Sequence, residues 1–182
     1  MHNKEFELTG RRLFNEGLVA GNFGNMSVRV RGGFLITSSG SFLDEEESLK
    51  FVTMDGVPED GASSEWRVHY RAYLACDDAE AIVHAHPPLS VAASLVYDEI
   101  IPEDSEGKML CPVIPVVDGE PGTDALAENV AKALVSNPVV VAKGHGTFAK
   151  GKDLREAYLL TSTAEHCCKI LYYLGGFGGR SF

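Results

Sequence analysis

Three short stretches of this chain carry side chains able to do chemistry: Val83-His84-Ala85-His86, Gly144-His145-Gly146 and Ser63-Ser64-Glu65. His84 and His86 close an apolar run that begins at Ala81. Residues two apart on a β-strand share a face, so this pair presents two imidazoles to one point, as a chelated divalent cation requires. Pro87 and Pro88 then end the strand and put the pair beside a loop, where ligands commonly bind. An isolated HxH is more often a core histidine beside a turn residue. His145 changes that weighing. Catalytic zinc commonly takes three protein ligands and keeps one position open, and a third imidazole from a distant strand end completes that number. The glycines on either side of His145 permit unusual backbone angles and close approach. Of the other histidines, His2 is terminal, while His69 and His166 lie in helical patterns and read as structural or surface.

Glu65 is the candidate acid/base group. It falls in the first turn of a helix whose apolar face includes Trp66, Tyr70 and Tyr73, where the dipole favours a carboxylate. An ordinary helix acid is therefore the plain alternative. Ser63 and Ser64 argue for more, because a serine can cap that helix and two hydroxyls with free N–H groups at a helix start make an anion site. Gly24-Asn25 and Ser39-Gly40 are two further turns with N–H and side-chain donors. Each alone is more often only a turn. Together, all before the HxH strand, they form a candidate phosphate cradle built from hydrogen bonds instead of Lys or Arg.

These groups need elements to hold them. Phe6, Leu13, Phe14 and Leu18 have helical spacing, and Val28–Val30 with Phe34–Ile36 read as a hairpin around Arg31-Gly32-Gly33. Phe51 to Met54 reads as a short strand, and the acidic run Asp44 to Glu47 as a solvated first helical turn. A helix is expected from Ser90 to Tyr97, a loop from Pro102 to Gly107, and extended chain from Val113 to Val117. Leu126, Val130 and Leu134 mark a helix from Asp124 to Val135, and Pro138 to Ala142 a buried strand that delivers His145, with Thr147 to Ala149 returning. Asp153 and Glu156 resemble a capping box at the start of a long helix. The glycine-rich run from Gly175 to Gly179 reads as a mobile tail. Helices interleaved with short strands predict one α/β domain over residues 1–182, with a central sheet covered by helices.

Bulk composition narrows the partners. With 182 residues, 45% of them hydrophobic, the chain can bury a core as one domain. Its net charge of −10 and lack of a Lys/Arg cluster disfavour nucleic acid or an anionic membrane surface as partner. No apolar run resembles a signal peptide or a membrane span. Cys76, Cys111, Cys167 and Cys168 form no CxxC and are expected to be free thiols of a cytoplasmic protein.

Five motifs in order carry a family resemblance: Gly24-Asn25-Met26-Ser27, Ile36-Thr37-Ser38-Ser39-Gly40, Ser63-Ser64-Glu65-Trp66 followed by His69, Val83-His84-Ala85-His86, and Gly144-His145-Gly146. Over roughly residues 10 to 174 the chain resembles the class II aldolase/adducin family, and within it the fuculose-phosphate aldolase branch. The resemblance implies a three-layer α/β/α sandwich with a mixed, mainly antiparallel sheet. It also implies a homotetramer with active sites at subunit interfaces. It implies Zn2+ on His84, His86 and His145, with Glu65 as acid/base group and as a further metal ligand when substrate is absent. Gly24, Asn25, Ser39, Gly40, Ser63 and Ser64 would bind the phosphate of a small phosphorylated sugar. The implied reaction is reversible cleavage of a ketose 1-phosphate, such as L-fuculose 1-phosphate. Its products would be dihydroxyacetone phosphate and an aldehyde such as lactaldehyde, formed through a metal-stabilised enediolate. A sugar-phosphate 4-epimerase, dehydratase or decarboxylase on the same metal site is the alternative, and a non-catalytic adducin-like interaction module a more distant one. One departure stands out. The fuculose-phosphate aldolases carry a tyrosine proton donor supplied by a neighbouring subunit, whereas the corresponding stretch here, Ile101 to Met109, has none. Glu106 and Asp104 are candidate replacements, beside the plainer reading of an acidic surface loop. The family's C-terminal closing segment would be reduced to Phe177 to Phe182.

Overall fold

The computed structural model describes residues 2–45 and 48–175. Short runs rich in β-branched and aromatic residues form its sheet. Asn25–Val30 (β1) and Gly33–Thr37 (β2) make the expected hairpin, and Leu49–Thr53 (β3) pairs outside β2. Ala81–Ala85 (β4) lies on the other side of β1. Glu99–Ile100 (β5), Ile114–Val117 (β6), Val139–Ala142 (β7) and Gly146–Gly151 (β8) complete an eight-stranded sheet of order β3-β2-β1-β4-β8-β7-β6-β5. Every pairing is antiparallel except that of β6 with β7.

Helices cover both faces. Trp66–Ala75 (α2) and Asp124–Leu134 (α5) pack on one, where Val68, Ala72, Leu126 and Val130 meet Ile82, Val140 and Phe148. His2–Asn15 (α1) and the start of Leu154–Tyr173 (α6) pack on the other, where Phe6, Leu13, Leu154 and Ala157 meet Ala81, Val83 and Ala85. Further along α6, Leu160, Ala164 and Cys167 meet Val139, Val141 and Ala149, beside Pro88–Ser94 (α3) and Ser105–Leu110 (α4). The result is the three-layer α/β/α sandwich with a mixed, mainly antiparallel sheet. β4 is buried at all five positions because helices cover both its faces. Its alternation sends Ile82 and His84 toward the α2/α5 layer.

The capping-box-like start of α6 is present, with the return bond made to the N–H of Lys152 instead of the N-cap Asp153. The Asp153 carboxylate accepts from the Glu156 N–H (2.8 Å), and the Glu156 carboxylate from the Lys152 N–H (2.7 Å). Other boundaries differ from expectation. The helix expected at Ser90 begins at Pro88, whose missing N–H costs nothing in a first turn. Glu165 of α6 accepts the next two N–H groups, from Leu89 (3.0 Å) and Ser90 (2.8 Å). The stretch expected to be a loop up to Gly107 instead starts α4, capped by Asp104 Oδ2 accepting from the Gly107 N–H (2.9 Å). At Asp44 the chain makes a turn and no helix. Glu46 and Glu47 lie outside the described residues, as do the rest of the glycine tail and the closing segment from Phe177. All four cysteines are free and buried. Among the described residues no helix is long and apolar enough to cross a membrane.

Candidate functional site

The three histidines meet where β4 and β8 pair. His84 is the fourth residue of β4, and His86 follows the strand end, held there by its N–H donating to the Leu18 carbonyl (2.9 Å). Between β7 and β8 the chain turns tightly, with Gly144 at φ +68° and the His145 N–H donating to the Ala142 carbonyl (3.0 Å). The next residue must be small. A Cβ on Gly146 would lie 2.3 Å from the Ala85 carbonyl oxygen and 3.1 Å from ring carbons of both His84 and His86.

The imidazoles therefore converge. Ring centroids lie 4.8 Å apart for His84 with His86, 4.8 Å for His84 with His145, and 4.9 Å for His86 with His145. The Nε2 atoms of His84 and His86 are 3.0 Å apart. One ligating nitrogen from each of the three falls within 4.8 Å of the others, the one such cluster among the described residues. His84 Nδ1–H donates to the Thr147 carbonyl (2.9 Å), which leaves the lone pair on Nε2, the arrangement typical of a metal-bound histidine. His84 also stacks on Phe148 at 4.1 Å, and His86 on Phe23 at 5.4 Å. His145 Nδ1 is buried with no hydrogen-bond partner.

Electrostatics agree with the geometry. Burial, then the neighbouring His86 and His145, hold His84 well below the ordinary imidazole value. Burial and His145 bring His86 down to about 4, and burial lowers His145 as well. The site therefore gathers three neutral imidazoles with a buried, unpaired nitrogen among them. That donor set fits a divalent cation that accepts imidazole.

Glu65 lines the same cavity, which has a volume of about 200 Å³. It takes the N-cap position of α2, one place before the expected first turn, and its side chain makes no cap bond. Oε1 accepts from the Gly122 N–H (2.8 Å), while Oε2 is buried without a partner. Burial raises its carboxyl above the ordinary value, partly offset by the Gly122 bond. Glu65 is not one of the clustered metal-ligating residues.

All six residues expected to hold phosphate line this cavity too: Gly24, Asn25, Ser39, Gly40, Ser63 and Ser64. Two details differ from the sequence reading. Ser63 does not cap α2, although its Oγ accepts the Glu65 N–H at a long 3.4 Å. The N–H groups of Ser39 and Ser63 are already donated to the carbonyls of Gly61 (2.9 Å) and Thr37 (3.2 Å), so their hydroxyls are the donors that remain. Among the described residues, no lysine or arginine lines the cavity. A larger cleft of about 480 Å³ lies beside Arg12 and Arg155, but it gathers no imidazole.

Several neighbours were not anticipated. Gly122 and Pro121 arrive from the loop before α5, where Asp118-Gly119-Glu120-Pro121-Gly122 carries a turn signature but no sign of its target. His69 is fully buried, which decides between its structural and surface readings, but its place behind Asn25 carried no sequence signal. Asp104 and Glu106 do not line the cavity of their own chain.

Comparison with known proteins follows the same lines. The Class II Aldolase and Adducin N-terminal domain family matches residues 4–172. The L-fuculose phosphate aldolase of Methanocaldococcus jannaschii is 33% identical over 174 residues, covering 93% of this chain and 95% of that protein. The 5-methylthioribulose-1-phosphate/5-deoxyribulose-1-phosphate aldolase of Escherichia coli O45:K1 is 30% identical over 177 residues, covering 92% and 82%. The crystal structure of L-fuculose-1-phosphate aldolase from Thermus thermophilus superposes with a TM-score of 0.91 at 36% identity, covering 99% of this chain and 98% of that one.

Proposed function

The chain belongs to the class II aldolase and adducin family, and from that premise we propose that it is a zinc-dependent aldolase. It would cleave a ketose 1-phosphate reversibly to dihydroxyacetone phosphate and an aldehyde, with fuculose 1-phosphate as the reference substrate. One observation carries this reading. A buried carboxylate with an unpaired oxygen shares a cavity with three converging neutral imidazoles and a set of uncharged donors.

His84 Nε2, with a ring nitrogen from each of His86 and His145, would hold the metal, which supplies Lewis-acid polarisation of a substrate carbonyl. The remaining work falls to the chain's own groups. In the synthetic direction Glu65 Oε2 takes a proton from the hydroxymethyl carbon of dihydroxyacetone phosphate. Burial makes this carboxylate a stronger base than one in water. The Gly122 N–H occupies Oε1, so the lone pairs of Oε2 are the ones left for substrate. In the cleavage direction the same group returns the proton to that carbon. Glu65 stands outside the cluster of converging ligand atoms, which favours a base over a fourth ligand.

The hydroxyls of Ser39, Ser63 and Ser64, the Asn25 amide, and the turns at Gly24 and Gly40 would bind the phosphate. Donors fixed in the fold orient a substrate at little entropic cost, and neutral ones suit a chain of net charge −10. Among the described residues the cavity holds no evident proton donor for the aldehyde half. In a homotetramer with sites shared between subunits, a neighbouring chain would supply it.

The test uses zinc-loaded protein and dihydroxyacetone phosphate in deuterated water, following loss of the hydroxymethyl proton by NMR. Exchange that needs zinc and disappears in Glu65→Gln is the expected result. Absence of exchange with zinc bound would overturn the aldolase and favour an epimerase, dehydratase or decarboxylase.

A further inference from the structure

Behind the phosphate side of the cavity runs a row of buried polar side chains. His69 Nε2 lies 2.6 Å from Asn25 Oδ1, Ser27 Oγ 2.6 Å from His69 Nδ1, and the Tyr73 hydroxyl 2.8 Å from Ser27 Oγ. Each of the four is at most 4% exposed. None carries charge: burial pushes His69 down to about 3 and the Tyr73 phenol up. A neutral imidazole has one N–H and one lone pair, so the row can run in only two directions.

In one direction Tyr73 donates to Ser27, Ser27 donates to Nδ1, and Nε2–H donates to the Asn25 carbonyl. The NH2 end of the amide is then left for the cavity that Asn25 lines. In the other direction every bond reverses, the Asn25 carbonyl faces the cavity, and the Tyr73 proton has no acceptor in the row. A buried unpaired hydroxyl is costly, so the first direction prevails. The difference matters because, among the described residues, no lysine or arginine lines the cavity. An amide turned the wrong way would set an acceptor against an anion.

We propose that His69 is a positioning residue that fixes the Asn25 amide with its NH2 group toward the cavity, making that position a donor for a phosphate oxygen. This rests on the reading of the cavity as a phosphate site. Ser27 and Tyr73 act through His69 by holding its tautomer.

The test measures inorganic phosphate affinity of the zinc-loaded protein, with zinc content and circular dichroism as checks on the fold. Asn25→Ala should weaken phosphate at least about tenfold, the scale of one charge-assisted hydrogen bond. His69→Leu should weaken it similarly while zinc stays bound. His69→Leu should add nothing in the Asn25→Ala background, and His69→Gln, whose side-chain NH2 can reach Asn25 Oδ1, should restore most of the affinity. In the solvent-exchange assay His69→Leu should raise KM more than it lowers kcat. If Asn25→Ala binds phosphate like wild type, the cradle reading and this inference both fall. If Asn25→Ala is impaired but His69→Leu is not, the inference alone falls. If His69→Leu does not fold, imidazole ¹⁵N shifts of wild type decide, with His69→Gln identifying the resonances. A proton on Nε2 with Nδ1 bare supports the proposal, and the reverse tautomer overturns it.

Discussion

Alanine at Gly146 would separate the geometry of the histidine cluster from the stability of the sheet. A Cβ there meets the Ala85 carbonyl oxygen at 2.3 Å, where real Cβ atoms almost never come within 3.0 Å, so β8 must move from β4 by about 0.7 Å. Backbone strain is not involved, because Gly146 is not among the positive-φ glycines. Metal–ligand distances tolerate only about 0.2 Å, and the displaced pair of strands carries His84 on one side and His145 at the entry to the other. The shift is about three times that tolerance. We expect zinc affinity to fall by roughly 10–100-fold, the scale seen when ligand orientation is lost. Overpacking should also cost about 1–3 kcal/mol of stability. Gly33→Ala supplies the comparison. Its Cβ would lie 2.1 Å from the Val52 carbonyl oxygen, between β2 and β3 and away from the cavity. It should lose similar stability and keep its zinc. Zinc titration against a chromophoric chelator, with thermal unfolding of the metal-free proteins, reads both effects. Wild-type zinc affinity in Gly146→Ala, or an equal loss in Gly33→Ala, would refute the reasoning.

The buried carboxyl and imidazoles give opposite pH signatures in metal-free protein. Glu65 sits above its ordinary 4.5 in the fold, so the native state keeps a proton that the unfolded chain has released, and stability falls as pH rises from 4.5 through the raised value. Glu65→Gln should therefore be more stable than wild type at pH 7, with the gap closing below pH 4.5. Denaturant titrations showing the same gap at both pH values would contradict this. His86, lowered from 6.5 to about 4, refuses a proton that the unfolded chain accepts. It should make stability fall with pH between 6.5 and about 4, by up to about 1.4 kcal/mol per pH unit. His86→Ala should flatten part of that slope, and an unchanged slope would count against it. Saturating zinc should raise the melting temperature, since ~100-fold excess over Kd adds ~2.7 kcal/mol. Zinc binding with no thermal shift would show that the metal does not prefer the native state.

What the sequence revealed depended on whether a signal was local. His84 and His86 could be paired because strand period is a property of adjacent residues, and His145 stood out because only glycine fits beside it. The capping-box-like start at Asp153 was equally readable. The Gly122 N–H that holds Glu65 was not, because 57 positions separate the two and the turn's composition says nothing about its target. His69 went the same way. Helical spacing shows that a residue lies on α2 but not that its side of the helix faces β1. The α4 helix was hidden by Pro102 and two acids, whose loop character is genuine up to the Asp104 cap.

The aldehyde half of the reaction can be narrowed by what α4 does. Asp104 is committed to capping: burial alone would raise its carboxyl, yet the Gly107 N–H, the Cys167 thiol and nearby charge hold it below the ordinary value. A carboxyl held ionised is a poor proton donor. Nor can α4 readily roll to bring it elsewhere. A Cβ on Gly107 would already overlap Pro102 and Cys167, so the helix is seated tightly against its neighbours. Glu106 remains exposed and uncommitted, outside the cavity of its own chain but free to reach another. The chemistry thus divides along the structure. On the proposed aldolase reading, proton exchange at dihydroxyacetone phosphate would use groups that one chain brings together, whereas carbon–carbon cleavage would draw on a donor from beyond that cavity. Aldehyde specificity would then be set mainly at the subunit boundary, while β4, β8 and the turns around them fix the metal and phosphate ends.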